Sequence, residues 1–292
     1  EHVAWGRIMG ITTNGELNEA ILDKKFDDFV RTAETLQAKK LSQIADQITL
    51  RRPQVRLVLI AGPSSAGKTT TAKRLCIQLR VNGLRPLLVS TDNYFVGDAK
   101  NPRDALGRLD YENIAAVDQD RLNSDLNALF AGKSVHLRRF DFKKKAGYDA
   151  EDVSRLPPNG LVVVEGIHAL NPELTSGTPD NLKFRIYSNA LTQLVVDSCN
   201  RISTKDTRLL RRLVRDFQFR KQSPISTIRM WPSVAAGERE WIYPYQHLAD
   251  AVFNSALDYE LAVLKPYAVQ LLNQVKPWDR EFLEARRLSG IL

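Results

Sequence analysis

Residues 55–69 read Val-Arg-Leu-Val-Leu-Ile-Ala-Gly-Pro-Ser-Ser-Ala-Gly-Lys-Thr, an almost unbroken apolar run followed by a turn bracketed by two glycines. The run Val55 to Ala61 is β-rich and nearly continuous in its apolarity, the pattern of a strand covered on both faces, as in parallel sheets. Gly62 to Thr69 spells G-x-x-x-x-G-K-[ST], and the stretch from about 67 to 82 reads as a helix. A strand entering a helix through such a loop aims successive backbone N–H groups and the positive end of the helix at one place. Phosphate oxygens fit there. The candidate nucleotide-binding residues are therefore Gly62, Ser64, Ser65, Ala66, Gly67, Lys68, Thr69 and Thr70. Lys68 is expected to reach the β- and γ-phosphates, and the Thr69 hydroxyl to ligate Mg²⁺.

Outward from this loop, further strands are expected at 86–91, 161–165, 182–187 and 249–254, with helices at about 119–131, 206–221 and 257–273. Strands and helices that alternate argue for an α/β fold: a layered, mainly parallel sheet with right-handed crossovers. Upstream, Phe29, Val30, Ala33, Leu36, Leu41, Ile44 and Ile48 mark one face of a long helix that Arg51-Arg52-Pro53 ends. Residues 1–25 show little periodicity and read as a leader, and 223–248, with their prolines and mixed polarity, carry no clear pattern. The expected division is a connector with a long helix at 1–50 and a phosphate-loop domain at 51–292. With 292 residues, 43% of them hydrophobic, a full core is available, and no run approaches the ~18 apolar residues of a membrane helix. A soluble protein with no membrane partner is expected.

Forty-two Lys and Arg against 34 Asp and Glu leave a net charge of +8, which calls for an anionic partner such as nucleic acid, an acidic membrane or phosphorylated small molecules. Cys76 and Cys199 are too few for a disulfide framework, so a reducing cytoplasm is the expected compartment, and the four histidines lack zinc-site spacing. An Asn-Lys-x-Asp guanine motif and an L-S-G-G transporter signature are both missing, and the D-x-x-G at Asp104–Gly107 follows a proline-containing loop rather than a strand. Kinase chemistry is left ahead of a GTPase switch or an ATP-driven motor. It needs a carboxylate beside the acceptor hydroxyl, and Asp92, just after the second strand, stands at the same sheet edge as the loop. Glu165 ends the apolar strand LVVVE, where an acid binds Mg²⁺ directly or through water. Between Arg201 and Lys221, eight Lys or Arg accompany only Asp206 and Asp216; Arg208, Arg211, Arg212 and Arg215 share one face of a helix expected to act as a lid that neutralises the moving phosphoryl group. The run 138–145 interleaves aromatics with cations, suiting either a stacked planar group or an exposed hairpin.

GPSSAGKTTTAKRL, STDNYF, LDYENIAAVD, FDF, VVVEGIHAL, DTRLLRRLVRD and ADAVFNSALDYELAVLKPY occur in the order found in the uridine kinase and phosphoribulokinase family of P-loop kinases, which the chain resembles over about 50–272. It is most similar to long bacterial uridine-kinase-like proteins whose kinase follows a module like the front of threonyl-tRNA synthetase; on that resemblance the module is absent and 1–50 is its connector. The resemblance implies a three-layer P-loop NTPase fold with a helical lid. It also implies a cytoplasmic, Mg²⁺-dependent transfer of the γ-phosphoryl group of ATP or GTP to the 5′-hydroxyl of a nucleoside, a pyrimidine nucleoside such as uridine or cytidine. By motif position Asp92 matches the family's general base, which also approaches the metal, and Glu165 its second acid near Mg²⁺. Asp110 falls where the family holds the ribose hydroxyls, Arg208 matches a lid arginine directed to the sugar, and Arg211 one directed to the phosphates. The family's Tyr-Asp-Phe and nearby base-reading histidine are replaced here by Phe140, Asp141, Phe142 and then Lys143 to Lys145. Phe140, Phe142 and Lys145 thus stand at the acceptor without the hydrogen bonds that select a pyrimidine. A relaxed acceptor, or a phosphorylated sugar as in phosphoribulokinase, stays open. So do a homo-oligomer and a nucleotide-dependent RNA-binding or regulatory role, although the positive charge concentrates beside the kinase motifs rather than along one stripe.

Overall fold

The computed structural model describes residues 2–104, 107–141, 144–197 and 200–292. The chain opens with α1 (His2–Met9), α2 (Asn14–Leu22) and α3 (Phe26–Leu50), then enters β1 (Leu57–Ala61), α4 (Lys68–Val81) and β2 (Arg85–Ser90). After a 3₁₀ turn at Thr91–Tyr94 come α5 (Gln119–Phe130), β3 (Val135–Asp141), β4 (Ala146–Ser154), β5 (Gly160–Glu165) and β6 (Lys183–Asn189). The C-terminal third is α6 (Thr204–Arg220), α7 (Pro224–Trp241), β7 (Ala251–Asn254), α8 (Glu260–Leu272) and α9 (Phe282–Ser289).

Five strands form one parallel sheet in the order β2-β5-β1-β6-β7. Central β1 is hydrogen-bonded on both sides, Leu57 lying opposite Val162 of β5 and Lys183 of β6. Successive side chains of a strand face opposite ways. Leu57, Leu59 and Ala61 accordingly join a core with Leu122, Leu126 and Leu129 of α5, while Val58 and Ile60 join another with Leu41, Ile44 and Ile48 of α3 and Leu75 and Leu79 of α4. Both faces are covered. That is why β1 and β5 read as unbroken apolar runs, each of their large side chains contributing roughly 1.5–3 kcal/mol by leaving water. The result is the three-layer α/β architecture with a mainly parallel sheet, and no helix among the described residues is long and apolar enough to cross a membrane.

A third core joins the start of the chain to its end: Ile11, Leu17, Ala20 and Phe29 pack with Leu209, Leu210 and Leu213 of α6, Trp231 of α7, Leu271 of α8 and Leu288 of α9. Within residues 1–25, expected as a leader, residues 2–9 and 14–22 are helical. Their periodicity is weak because α2 buries only Leu17 and Ala20, yet Thr13-Asn14-Gly15-Glu16 carries a capping box, in which Thr13 Oγ1 accepts from Glu16 N at 3.1 Å and Glu16 Oε2 accepts from Thr13 N at 2.9 Å. The segment 223–248 holds α7, begun by Ser223 as cap and Pro224 in the first turn, with Ile228, Trp231, Val234 and Ala235 buried along one side. Pro232, inside that helix, masks it in the sequence. Strands β3 and β4 form an antiparallel hairpin of their own, Phe140 opposite Gly147.

Candidate active site

The phosphate loop leaves the carboxyl end of β1. Gly62 lies so close to β6 that a Cβ on it would stand 1.9 Å from the Ser188 carbonyl oxygen, and Gly67 takes φ +77° to start α4. Thr71 N–H bonds to Gly67 O at 2.9 Å, so the amides before it in the first turn of α4 have no acceptor within the helix and are oriented for an anion. Thr69 and Thr70 are exposed there, and Lys68, half-buried, donates from Nζ to Pro63 O at 3.1 Å.

The acids come from the neighbouring strand ends. In the register, Glu165 of β5 lies opposite both Ile60 of β1 and Ser90 of β2. Its Oε1 accepts from Ser90 Oγ at 2.7 Å and from Thr69 Oγ1 at 3.1 Å. Burial, reinforced by the charge of Asp92, raises the Glu165 pKa against the pull of Lys68. Burial also lowers the Lys68 pKa, while Glu165, Asp92 and Glu112 hold it up. Lys68, Asp92, Glu165 and Glu112 thus share one electrostatic neighbourhood.

Glu112 is a member that sequence reasoning did not single out, although it sits in the motif containing Asp110. Its Oε2 is buried without a hydrogen-bond partner, and its backbone N–H donates to Asp110 Oδ1 at 3.1 Å. Burial, with Glu238 and Asp110 adding negative charge against Arg212 and Lys68, pushes its pKa up to about 7.

The arginines of α6 hold the loop. Arg208 is 2% exposed and forms a bidentate pair with Glu238 of α7, itself 1% exposed, at 2.5 and 2.8 Å. Arg208 Nη1 also donates to Ser64 O at 3.1 Å, and Ser64 N–H donates to Glu238 Oε1 at 3.0 Å, so this pair grips both ends of the loop's Ser64. Arg212 Nη1 donates to Ser64 Oγ at 2.7 Å. Arg211 pairs with Glu260 of α8 and reaches Ser65 O at 3.4 Å and Ser255 O at 3.0 Å. Arg215 lies near enough to Lys68, and Arg220 to Asp92, to influence their charge environment. The basic stripe expected as a lid face is turned largely inward, with Arg208 engaged behind the loop. Glu238 lies in the segment that carried no pattern, and no sequence signal pointed to it.

The hairpin comes to the turn that carries Asp92. Phe140 meets Phe95 edge to face at 5.8 Å between ring centroids, and Phe95 meets Tyr111 in the same way at 6.3 Å. Lys145 Nζ bonds Asp98 Oδ2, and Tyr111 hydroxyl donates to Asp98 Oδ1, each at 2.5 Å. Phe142 lies outside the described residues. Loop, acids and arginines thus converge, with Phe140, Lys145 and Asp110 flanking them.

A family model described as Phosphoribulokinase / Uridine kinase family matches residues 57–262. The uridine kinase of Deinococcus deserti is 29% identical over 194 residues, 66% of this chain and 84% of that protein. That of Staphylococcus aureus strain JH9 is 28% identical over 209 residues, 71% and 91% of the two chains. Among solved structures, a protein described as a fructose transport system kinase from Silicibacter sp. TM1040 superposes with a TM-score of 0.51 over 73% of this chain and 98% of its own, at 17% identity, a likeness of fold. The matched stretch contains the phosphate loop, Asp92, Glu165 and the arginines of α6, and the chain belongs to the phosphoribulokinase and uridine kinase family of kinases.

Proposed function

We propose that this kinase transfers the γ-phosphoryl group of ATP or GTP to the 5′-hydroxyl of a pyrimidine nucleoside, uridine or cytidine. The observation that carries this reading is the convergence of Lys68, Asp92 and Glu165 on the mouth of the phosphate loop. Phosphoryl transfer asks a protein mainly to position its reactants and neutralise charge. Lys68 and the first-turn amides of α4 hold the donor phosphates, and Asp92 takes the proton of the attacking hydroxyl. Arg211, anchored by Glu260 beside Ser65, adds positive charge at the loop, and Arg208 acts by holding Ser64. Asp110 holds the sugar hydroxyls, while Phe95, Tyr111 and Phe140 wall the planar part of the acceptor.

The donor set suits Mg²⁺. Mg²⁺ typically relies on one or two carboxylates together with substrate phosphates, and Glu165 and Asp92 stand in the same charged neighbourhood as Lys68 of the loop. Thr69, Asp92 and Glu165 would hold the ion, which would neutralise the charge of the β- and γ-phosphates.

The test is a panel of uridine, cytidine, thymidine, other nucleosides and sugar phosphates assayed with ATP and Mg²⁺. Uridine or cytidine should stimulate ADP release. Asp92→Asn should lower kcat by roughly 10²–10⁴-fold while leaving nucleotide affinity within a few-fold. Consumption of ribulose 5-phosphate alone would overturn the nucleoside reading; the ion pair of Lys145 with Asp98 already commits that lysine.

A further inference from the structure

Helix α6 stands between the phosphate loop and a bundle made from the two ends of the chain. At about 100° per residue, Asp206, Leu210 and Leu213 share one side of it, and Arg208, Arg211 and Arg215 lie on the opposite side. The arginine side reaches the loop. Arg208 Nη1 donates to Ser64 O at 3.1 Å, Arg212 Nη1 to Ser64 Oγ at 2.7 Å and Arg211 Nη1 to Ser65 O at 3.4 Å. The leucine side packs in one core with Leu17 of α2 and with Ala285 and Leu288 of α9. Helix α9 lies beyond residues 57–262, the stretch matched by the family.

Apolar contacts are non-directional, so the leucines hold α6 down without fixing its rotation about its own axis. A planar guanidinium facing a carboxylate is directional. Arg287 of α9 supplies one to the back of α6: its Nη1 donates to Asp206 Oδ2 at 2.8 Å and its Nη2 to Asp206 Oδ1 at 2.6 Å. Both partners are set in place. Asp206, buried in the first turn of α6, donates its N–H to Ser203 Oγ at 3.0 Å. Arg287 is steadied from its own helix by Glu284, which accepts from Nε at 2.9 Å and from Nη2 at 2.8 Å. Just past α9, Ile291 O accepts from Asn14 Nδ2 at 3.0 Å, which ties the end of the chain to the start of α2.

The geometry makes the loop sensitive to this pair. Turning a helix by about 20° moves atoms at its outer radius, about 5–6 Å, by about 2 Å. No hydrogen bond from the arginines to Ser64 or Ser65 survives such a shift.

We propose that Arg287 is a positioning residue of the kinase site: by gripping Asp206 it sets the rotation of α6, and with it the hold of Arg208, Arg211 and Arg212 on the phosphate loop. This inference rests on the donor-nucleotide reading above.

Calorimetry on the full chain with Mg·ATP and with inorganic tripolyphosphate tests it, alongside thermal unfolding. Arg287→Met removes the grip and keeps an apolar stem, and Arg287→Lys keeps a cation against Asp206. Arg229→Met is the comparison: Arg229 of α7 pairs at 2.7 Å with Glu281, at the other end of α9, so its loss loosens α9 without touching Asp206. Arg287→Met should weaken both probes equally, by at least about fivefold, because the loop that holds the phosphates is what shifts. Arg287→Lys should recover at least half of that loss on a logarithmic scale. Arg229→Met should bind both probes within about twofold of wild type, even where its Tm falls as far as that of Arg287→Met. Weakening below about twofold in Arg287→Met, equal weakening in Arg229→Met, no recovery in Arg287→Lys, or an effect on ATP that tripolyphosphate does not share each overturns the proposal. Wild-type protein that binds neither probe overturns instead the donor-nucleotide reading beneath it.

Discussion

Removing Glu238 should unsettle both the fold and the phosphate loop. Its carboxylate accepts from Arg208 Nη1 and Nη2, from Ser64 N–H at 3.0 Å and from the Tyr243 hydroxyl at 3.1 Å, and Arg208 lies over the Trp231 ring at 5.3 Å. At 2% and 1% exposure, neither charge has water to fall back on. Glu238→Ala therefore strands a buried guanidinium and should cost about 3–5 kcal/mol, a fall in Tm of roughly 10 °C for a chain of this size. Replacing both charges, as Arg208→Met with Glu238→Leu, removes the desolvation penalty along with the attraction and should be more stable than either single variant. Ser64 nevertheless loses its clamp in the double variant, so the KM for Mg·nucleotide should rise while the acceptor KM changes little. Urea unfolding and steady-state kinetics read the two effects separately. A loss below about 1 kcal/mol in Glu238→Ala, or a double variant less stable than both singles, refutes the buried-pair argument; a rise confined to the acceptor KM refutes the clamp and returns Arg208 to the sugar.

Gly62→Ala should fold yet bind Mg·ATP at least about tenfold more weakly by calorimetry, because a methyl 1.9 Å from Ser188 O forces the loop off β6. Wild-type affinity in that variant would mean the close approach is unimportant. Glu112 predicts a pH dependence of stability. Its pKa in the folded chain is raised to about 7 from 4.5, chiefly by burial, so the folded state holds the proton more tightly than the unfolded state. The contribution is complete below about pH 4.5 and is lost as pH rises through 7, about 3 kcal/mol in all. Unfolding free energies at pH 5.5 and 8 should differ by less in Glu112→Gln than in wild type, and identical differences would remove Glu112 as the titrating group.

The strand, loop and helix spanning β1 and α4 were legible because each element's signal is local: a run buried on both faces, a glycine turn, and a lysine and threonine at fixed spacing. Asp92 and Glu165 were legible for a related reason, since an acid ending a strand of a parallel sheet is delivered to the same edge as the loop. The aromatics of the hairpin could be named, but their partners Phe95 and Tyr111 could not, because edge-to-face packing across separate segments leaves no periodic trace. Pro232 concealed α7, and the single narrow seam of α2 concealed the helix at Asn14–Leu22.

The amino-acid sequence by itself determined the α/β class, the phosphate loop and the strand-end carboxylates, all of which follow from spacing within a few residues of one another. Tertiary structure alone decided that Arg208 and Arg211 of α6 turn inward to acids on α7 and α8, that Glu112 joins Lys68, and that the start of the chain packs against α6. Each of those rests on a charge or wall supplied from tens to hundreds of residues away, and desolvation can be known only once the covering segments have packed.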